Sequence, residues 1–456
     1  MRFYLYSLVF IFSSVSAFAQ QSAPHVSGKV IIAMDQGLIK CDFKLSKLPA
    51  LGKQYKLLLN RGFNIGLLRN DSGRVLSYNG FYGSKLNGEA VAYIPVDHDD
   101  VFGLPGNLNI SYVGAFPVYR DTLNAFDFKG FIAFNGKTLR AAEQSKWYPV
   151  IYDIKNDKEL LDVTYDITVE CKDCKTLYLN GSQAQAGPVA TFKSEKPRQL
   201  LLFAGDYNKQ TLSSTFLNAG LTGEEAKVFD DNINSITIFY KDYLRIPYGE
   251  KITFLQHQPV EPFGPKRSWG FVTFPTIAIA GPGFKKDVDL QTGLFRDTST
   301  YRFYAHELGH FYYGQVLQPG STLRWFFLES MAEFLSVKAA ESKYGKVATQ
   351  RYIEKRKPGV EKLQIIPLSE IAEADKIGDA YRYNYAPFIL LAMEKRFGVD
   401  KVRSFCQQVL KNSGQQTDYA FFVKAVKASG IKDADWKQFE HNVIAQRECK
   451  TIFNFL

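Results

Sequence analysis

The first two hundred residues show the hydrophobic and polar pattern of short β-strands. Segments such as 28–34, 109–113 and 163–169 either alternate apolar with polar residues or run apolar, and Gly, Asn and Asp residues separate them. The period of three to four residues that marks an amphipathic helix is scarce there. The pattern predicts an N-terminal all-β domain over 20–207, built as a β-sandwich or a saddle-like sheet.

The pattern changes near Asn208, where longer segments acquire helical periodicity. The predicted elements are helices over 222–243 and roughly 300–315, and strands over 251–255 and 271–280. From about residue 348 to the end, apolar residues recur three and four apart, which is typical of helices packed on a core. The chain is therefore predicted to be multidomain, with an α/β domain over 208–456 that is mostly helical from about residue 300.

The second predicted helix contains the sequence H-E-L-G-H, from His306 to His310. Because residues four apart share one face of a helix, the two imidazoles lie about one turn apart, where a zinc ion can bridge them. Glu307 is placed to accept a proton from a water molecule that the zinc activates. Two histidines four apart also occur on ordinary helix surfaces, so these five residues are suggestive and need a third ligand.

A third ligand is present at a suitable distance, since catalytic zinc usually has three protein ligands. Eighteen residues separate His310 from Glu329, and the turn-forming residues 318–322 lie between them. A helix, a turn and a second helix would bring Glu329 back to the histidines. Glu333 follows one turn later and is expected to fix a ligand histidine through its other ring nitrogen. The alternative is that both glutamates lie on a solvated helix face.

The motif and its spacing resemble a known signature. H-E-L-G-H, eighteen residues and then F-L-E-S-M-A-E-F are similar to the zinc site of gluzincin metallopeptidases, above all the aminopeptidase N and leukotriene hydrolase family. Alignment on Glu394 and Gly398 places Tyr383 on a tyrosine that stabilises the oxyanion of the tetrahedral intermediate in that family, a role that suits a preorganised phenol donor. Tyr381 and Tyr385 are close alternatives.

The resemblance implies a thermolysin-like catalytic core in the second domain. It also implies one zinc ion held by His306, His310 and Glu329, with Glu307 as the general base in the hydrolysis of a peptide or protein substrate. The strand predicted over 271–280 would then border the cleft, where it could bind an extended peptide by strand addition.

One strand departs from the family pattern. Before its zinc motif the family carries G-x-M-E-N, whose glutamate binds the free amino terminus of the substrate, but here Thr273 and Phe274 stand in place of the glutamate and the asparagine. A neutral hydroxyl does not pair with an ammonium group as a carboxylate does. Tyr385 likewise replaces the lysine of the family's Y-x-K-G motif. The resemblance therefore favours zinc-dependent hydrolysis over aminopeptidase specificity and leaves exopeptidase and endopeptidase activity both open.

Residues 1–19 have the pattern of a signal peptide. Arg2 supplies a positive start, residues 3–16 are mostly apolar, and A-F-A follows at 17–19. Cleavage after Ala19 and export to the periplasm or the exterior are expected. No later segment approaches the roughly 20 apolar residues of a membrane-spanning helix.

Charge and cysteine content narrow the classes further. The formal net charge of +10 is spread along the chain without an arginine-rich arm, so no nucleic-acid partner is expected. Cys171 and Cys174 are expected to form a local disulfide in a turn, and the alternative of a redox site lacks the helix that usually follows C-x-x-C.

Two functions are therefore carried forward from the sequence. The first is an exported zinc metallopeptidase that uses Glu307 and Tyr383. The second is a catalytically weak or inactive peptide-binding protein on the same scaffold, which the threonine at position 273 motivates.

Overall fold

The computed structural model describes residues 23–48, 55–81, 90–96, 106–120, 127–154, 158–258, 269–281, 283–412 and 416–456. The predicted signal peptide, 1–19, lies outside these residues. Within the described ranges, each helix falls short of the length or the apolar character that crossing a membrane requires.

The part of the chain before residue 207 is built from strands, as its alternating pattern predicts. Strands β1 to β16 are His25–Ala33, Leu38–Ser46, Tyr55–Asn60, Phe63–Asn70, Ser77–Phe81, Ala90–Val96, Leu108–Ala115, Ala133–Phe134, Thr138–Ala141, Val150–Asp153, Lys158–Leu160, Val163–Cys171, Thr176–Leu179, Gln185–Ala186, Val189–Arg198 and Leu202–Gly205. They form three sheets, ordered β15-β12-β1-β2-β7-β4, β11-β10-β3-β6-β5 and β14-β13-β16-β9-β8. In β2 the apolar side chains of Ile39, Cys41 and Phe43 are buried, whereas the lysines and the aspartate between them are exposed.

A fourth sheet begins the second part of the chain. Strands β17 to β23 are Lys209–Thr211, Thr215–Leu217, Thr253–His257, Trp269–Thr273, Thr276–Ala280, Val288–Asp289 and Leu294–Phe295. The first five of them make a sheet ordered β17-β18-β19-β21-β20, in which β18, β19 and β21 are parallel and β20 is an antiparallel edge strand. Buried residues of β16, β19 and β21 pack together, so this sheet is joined to the β-rich part by a shared apolar layer.

The prediction of one strand over 271–280 is wrong, because the chain reverses inside it. Strands β20 and β21 form a tight hairpin, and Thr273 pairs with Thr276 across the turn at Phe274 and Pro275. Proline has no N–H to donate to a neighbouring strand, and it favours turns. Pro275 is therefore the sequence feature that indicates this turn, although it lies within an apolar segment. The consequence for the site is that β20 becomes the edge strand of this sheet.

The rest of the second part is helical, as the apolar periodicity predicts. Helices α1 to α8 are Gly223–Leu244, Thr298–His310, Met331–Tyr344, Lys346–Val360, Ala386–Phe397, Val399–Lys411, Tyr419–Ala428 and Asp433–Phe439. The prediction of a helix over 222–243 is confirmed: Thr222 caps α1, accepting from the Glu225 amide at 3.2 Å while the Glu225 carboxylate accepts from the Thr222 amide at 2.8 Å. Single π-helical turns occupy Phe311–Val316, Phe326–Ser330, Ala380–Tyr385 and Glu440–Ile444.

The predicted local disulfide is present. Cys171 ends β12, and its sulfur is bonded to that of Cys174 in the turn that leads to β13. The thiols of Cys41, Cys406 and Cys449 are free and buried.

Candidate metal centre

Helix α2 carries both histidines and is fixed at its start and near its end. The carboxylate of Asp297 caps it by accepting a hydrogen bond from the amide of Thr300 at 2.8 Å. The hydroxyl of Tyr240, on α1, donates to the carbonyl of Ala305 at 2.5 Å. The α-helix ends at His310 and continues as the π-helical turn Phe311–Val316, so it covers most of the predicted range of 300–315.

The glycine of H-E-L-G-H lets a second helix approach α2 closely. A Cβ atom at Gly309 would lie 3.1 Å from the Cα and the Cβ of Ala332 on α3, tighter than ordinary contacts. Two small residues therefore face each other where the helices cross. This close approach brings Glu329, in the π-helical turn before α3, and Glu333, on α3, beneath the histidines.

The structure brings His306, His310 and Glu329 together. An Oε atom of Glu329 lies 3.3 Å from Nε2 of His306 and 3.5 Å from Nε2 of His310, and the imidazole centroids are 4.8 Å apart. Ligand bonds of about 2.0–2.2 Å in a tetrahedral zinc site place neighbouring donor atoms about 3.3–3.5 Å apart. The distances from the Glu329 oxygen to the two Nε2 atoms therefore match those between the ligands of a tetrahedral zinc ion.

Glu333 accepts from the other ring nitrogen of His306, as expected from the sequence. Nδ1 of His306 lies 3.0 Å from one carboxylate oxygen of Glu333. The other oxygen accepts from Arg356 at 2.8 Å and lies 3.6 Å from a guanidinium nitrogen of Arg302. This arrangement leaves Nε2 of His306 directed at the metal position, and it places two arginines behind the site that the sequence analysis did not single out.

We expect Glu333→Gln to weaken zinc binding by about 10–100-fold, because loss of the carboxylate lowers the basicity of His306 and loosens its ring orientation. Competition with a chromophoric chelator measures the zinc affinity. Glu341→Gln is the matched control, because Glu341 is an ion-paired glutamate on the same helix that contacts Lys338 and not the histidines. Equal zinc affinities for the two variants would contradict the role of Glu333.

Glu307 is buried, with 9% of its surface exposed, and it lines the same cavity as His306. Burial raises the pKa of Glu307 to about 7, while the charge of His306 lowers it and that of Glu329 raises it. Burial acts in the same direction on Glu329, but the neighbouring histidines outweigh it and hold its pKa at about 2. The two carboxylates therefore differ: the pKa of Glu329 is lowered and that of Glu307 is raised.

Of the three candidate tyrosines, only Tyr383 reaches the cavity. Its ring lies 5.9 Å from that of His306, and burial together with the charge of Glu329 raises its pKa, so its hydroxyl stays protonated. Tyr381 and Tyr385 are buried and pack against each other with ring centroids 5.5 Å apart. All three belong to the π-helical turn Ala380–Tyr385, which directs Tyr383 away from the other two.

Thr273 is held by a buried ion pair from the β-rich part of the chain. Its hydroxyl donates to Glu143 at 2.7 Å, and the other oxygen of Glu143 lies 2.5 Å from the ammonium of Lys129. Lys129 also donates to the carbonyl of Val272 at 2.6 Å, so one acceptor of the edge strand β20 is already used. The charge of Lys129 also lowers the pKa of Glu307, against the effect of burial.

An open cavity of about 350 Å³ adjoins the metal centre. Its lining residues are Ser299, Arg302, Phe303, His306, Glu307, Glu333, Arg356 and Tyr383. Of the predicted site residues, a candidate metal-ligating histidine, the candidate base and the candidate oxyanion donor all line it. Hydrolysis at a polarised carbonyl needs these three groups around one position.

By fold, the chain is similar to M1 zinc metallopeptidases and to leukotriene A4 hydrolase. A structure of the Saccharomyces cerevisiae leukotriene A4 hydrolase has a TM-score of 0.65 at 14% identity and covers 95% of this chain and 70% of its own. The Deinococcus radiodurans M1 zinc metallopeptidase, as a mutant bound to a Tyr-Ser-Ala substrate, has a TM-score of 0.61 at 14% identity, covering 94% of this chain and 95% of its own.

A third solved structure extends the likeness to another bacterial peptidase. The Legionella pneumophila aminopeptidase A, in complex with aspartic acid, has a TM-score of 0.62 at 12% identity and covers 93% of this chain and 49% of its own. No family model matches the sequence, and no curated protein matches it. The likeness is therefore one of fold: a metallopeptidase-like scaffold with many β-sheets and a helical C-terminal part.

Proposed function

We propose that this protein is a zinc-dependent metallopeptidase that binds one zinc ion through His306, His310 and Glu329. The observation that carries the proposal is the spacing of the Glu329 oxygen from both imidazoles, with a buried glutamate of pKa about 7 beside them. We further propose that residues 208–456 form a thermolysin-like catalytic domain behind an all-β domain over 20–207, and that residues 1–19 direct export to the periplasm or the exterior.

The reaction follows from what each side chain can hold or move. Zinc, when bound, polarises the scissile carbonyl and acidifies water. Glu307 accepts a proton from the attacking water and then donates it to the leaving amine. The hydroxyl of Tyr383 donates a hydrogen bond to the oxygen on which negative charge develops. Glu333 keeps the imidazole of His306 in the tautomer that leaves Nε2 free for the metal.

The purified protein should contain one zinc ion per chain and hydrolyse peptides, and a chelator should abolish the activity until zinc is restored. The second candidate is a weakly catalytic or inactive peptide-binding protein, favoured by the ion pair that engages Thr273. Zinc-loaded protein that binds peptides stoichiometrically without cleaving them would decide for the second candidate. Hydrolysis that survives complete removal of the metal would contradict both the metal ligands and the mechanism.

The surroundings of Thr273 lead to a prediction about specificity. We expect peptides with acetylated and with free amino termini to be cleaved with kcat/KM values within about tenfold, or ~1.4 kcal/mol, of each other. The reason is that Glu143, the carboxylate nearest Thr273, is already paired with Lys129 and hydrogen-bonded by the threonine. Mass spectrometry of a mixed peptide library with both kinds of terminus measures the ratio.

Thr273→Val is the control variant for this measurement, because it keeps the side-chain shape and removes the hydroxyl that contacts Glu143. The ratio of acetylated to free substrates should not change in it. A strong preference of the wild-type protein for free amines would mean that Glu143 or another carboxylate anchors the amino terminus, and it would overturn this specificity.

A further inference from the structure

Two neighbouring cavities share a pair of arginines. The first, of about 350 Å³, contains His306, Glu307 and Tyr383 and is also lined by Arg302 and Arg356. The second, of about 370 Å³, is lined by the same two arginines together with Lys355, Gly359 and Asn384. The arginines therefore border both the cavity at the candidate metal centre and a second cavity beside α4.

The residues that line the second cavity include three cations and no carboxylate. Glu333 is the acidic partner of both arginines, and it also accepts from the imidazole of His306. Arg302 approaches Glu333 only at 3.6 Å, beyond hydrogen-bonding distance. In the described part of the chain, nothing forms an ion pair with the exposed ammonium of Lys355. Glu333 is therefore shared between the two arginines, and the charge of Asp297 also acts on Arg302.

The two guanidinium groups are held rigidly rather than left to solvent. Each stacks on the ring of Tyr352, with the carbon of Arg356 at 4.0 Å and that of Arg302 at 4.8 Å from its centroid. Their side chains are 19% and 12% exposed. Burial lowers the pKa of Arg302 against the opposing attraction of Glu333, and the charge of Arg356 lowers it further. An anion between the guanidinium groups would relieve this repulsion and use their free donors.

We propose that Arg302, Arg356 and Lys355, with the amide of Asn384, form a subsite that binds a carboxylate of the substrate. This inference rests on the proposed peptidase function, since the anion that a peptide carries is a carboxylate. It comes from an acidic side chain or from the C-terminus. Arg302 lies one helical turn, about 6 Å, before His306 on α2. An extended residue spans about 3.5 Å, so the carboxylate is one or two residues from the scissile bond.

The test compares peptides that differ in a single carboxylate. One series exchanges Glu for Gln at each of the two positions on either side of the cleaved bond, and the other exchanges a free C-terminus for an amide. Zinc-loaded wild-type, Lys355→Gln and Arg302→Gln proteins are assayed for kcat/KM. The same peptides, fluorescently labelled, are titrated into Glu307→Gln protein, which reports binding without cleavage. Lys346→Gln removes an equal charge from the other end of α4 and is the matched control.

We expect one carboxylate peptide to be preferred over its amide partner by about tenfold or more, as charge-assisted hydrogen bonds to two or three cations imply. The preference should fall several-fold in Lys355→Gln and in Arg302→Gln and persist in Lys346→Gln. The series that shows the effect identifies the source of the carboxylate. Zinc content is measured for each variant, and Lys355→Gln keeps the test valid if Arg302→Gln disturbs Glu333.

Three results separate failure of the subsite from failure of the proposed function. If an active wild-type protein had the same kcat/KM for both members of every acid and amide pair, the subsite would be refuted and the proposed peptidase function would stand. A preference that survives in both Lys355→Gln and Arg302→Gln would also overturn it. Carboxylate-selective binding without any hydrolysis by the zinc-loaded wild-type protein would overturn the peptidase and leave the subsite as part of a peptide-binding protein.

Discussion

Replacement of Glu307 by glutamine is expected to lower kcat for peptide hydrolysis by about 10²–10⁴-fold, the usual contribution of a positioned general base. Glutamine retains the volume and the hydrogen-bonding reach of the side chain but cannot accept the proton. Burial raises the pKa of Glu307, which makes its carboxylate a stronger base than that of an exposed glutamate. Steady-state kinetics of the zinc-loaded protein, with the zinc content determined for each preparation, measures the effect.

The interpretation of that loss depends on the metal centre remaining intact. Glu307 is not one of the three candidate ligands, so Glu307→Gln should bind zinc with the same stoichiometry as the wild type. Its KM should change little, because the water molecule and not the peptide loses its partner. A Glu307→Gln protein as active as the wild type would refute the assignment of Glu307 as the base, whatever the role of zinc.

Much of the fold follows from local patterns in the sequence. Strand alternation in the first two hundred residues and the capping box at Thr222 act within a few residues, so they can be read directly. The hairpin turn at Pro275 was hidden inside an apolar run. The π-helical turns have no sequence signature either, although one carries Glu329, another carries Tyr383 and a third directly follows His310.

Some residues of the candidate site can also be predicted from the sequence, and others cannot. His306, His310 and Glu329 could be named because the spacing of zinc ligands on helices is regular. Glu143 and Thr273 are 130 residues apart, and their contact depends on how the β-rich part packs on the edge strand. The hydrophobic periodicity of a sequence does not predict a contact between residues so far apart in the chain.

Arg302 did leave a signal that the sequence analysis missed. It lies four residues before His306, on the same helix face and towards the same cavity. Charged residues on the face that carries metal ligands are therefore worth testing as parts of a site.

The tertiary structure distinguishes three tyrosines that the sequence leaves equivalent. Tyr381, Tyr383 and Tyr385 lie within five residues, and the resemblance alone leaves each of them possible. In the structure, the hydroxyl of Tyr381 is buried without a hydrogen-bond partner among the described residues, and its ring packs on that of Tyr385. Tyr383 lines the same cavity as His306 and Glu307, and the guanidinium carbon of Arg382 lies 5.1 Å from the centroid of its ring. Tyr383 is therefore the one of the three that we propose as the oxyanion donor.

Tyr383→Phe is therefore expected to lower kcat by about 10²–10³-fold with little change in KM, because the lost hydrogen bond is strongest when charge develops on the carbonyl oxygen. Tyr381→Phe and Tyr385→Phe are matched controls that remove a hydroxyl from the same turn. They should retain nearly full kcat, although their thermal stability can change. Initial rates at saturating peptide measure the effect. If Tyr383→Phe kept its kcat while Tyr381→Phe or Tyr385→Phe lost it, a different tyrosine would be the oxyanion donor, and the direction of the π-helical turn would have to change when substrate binds.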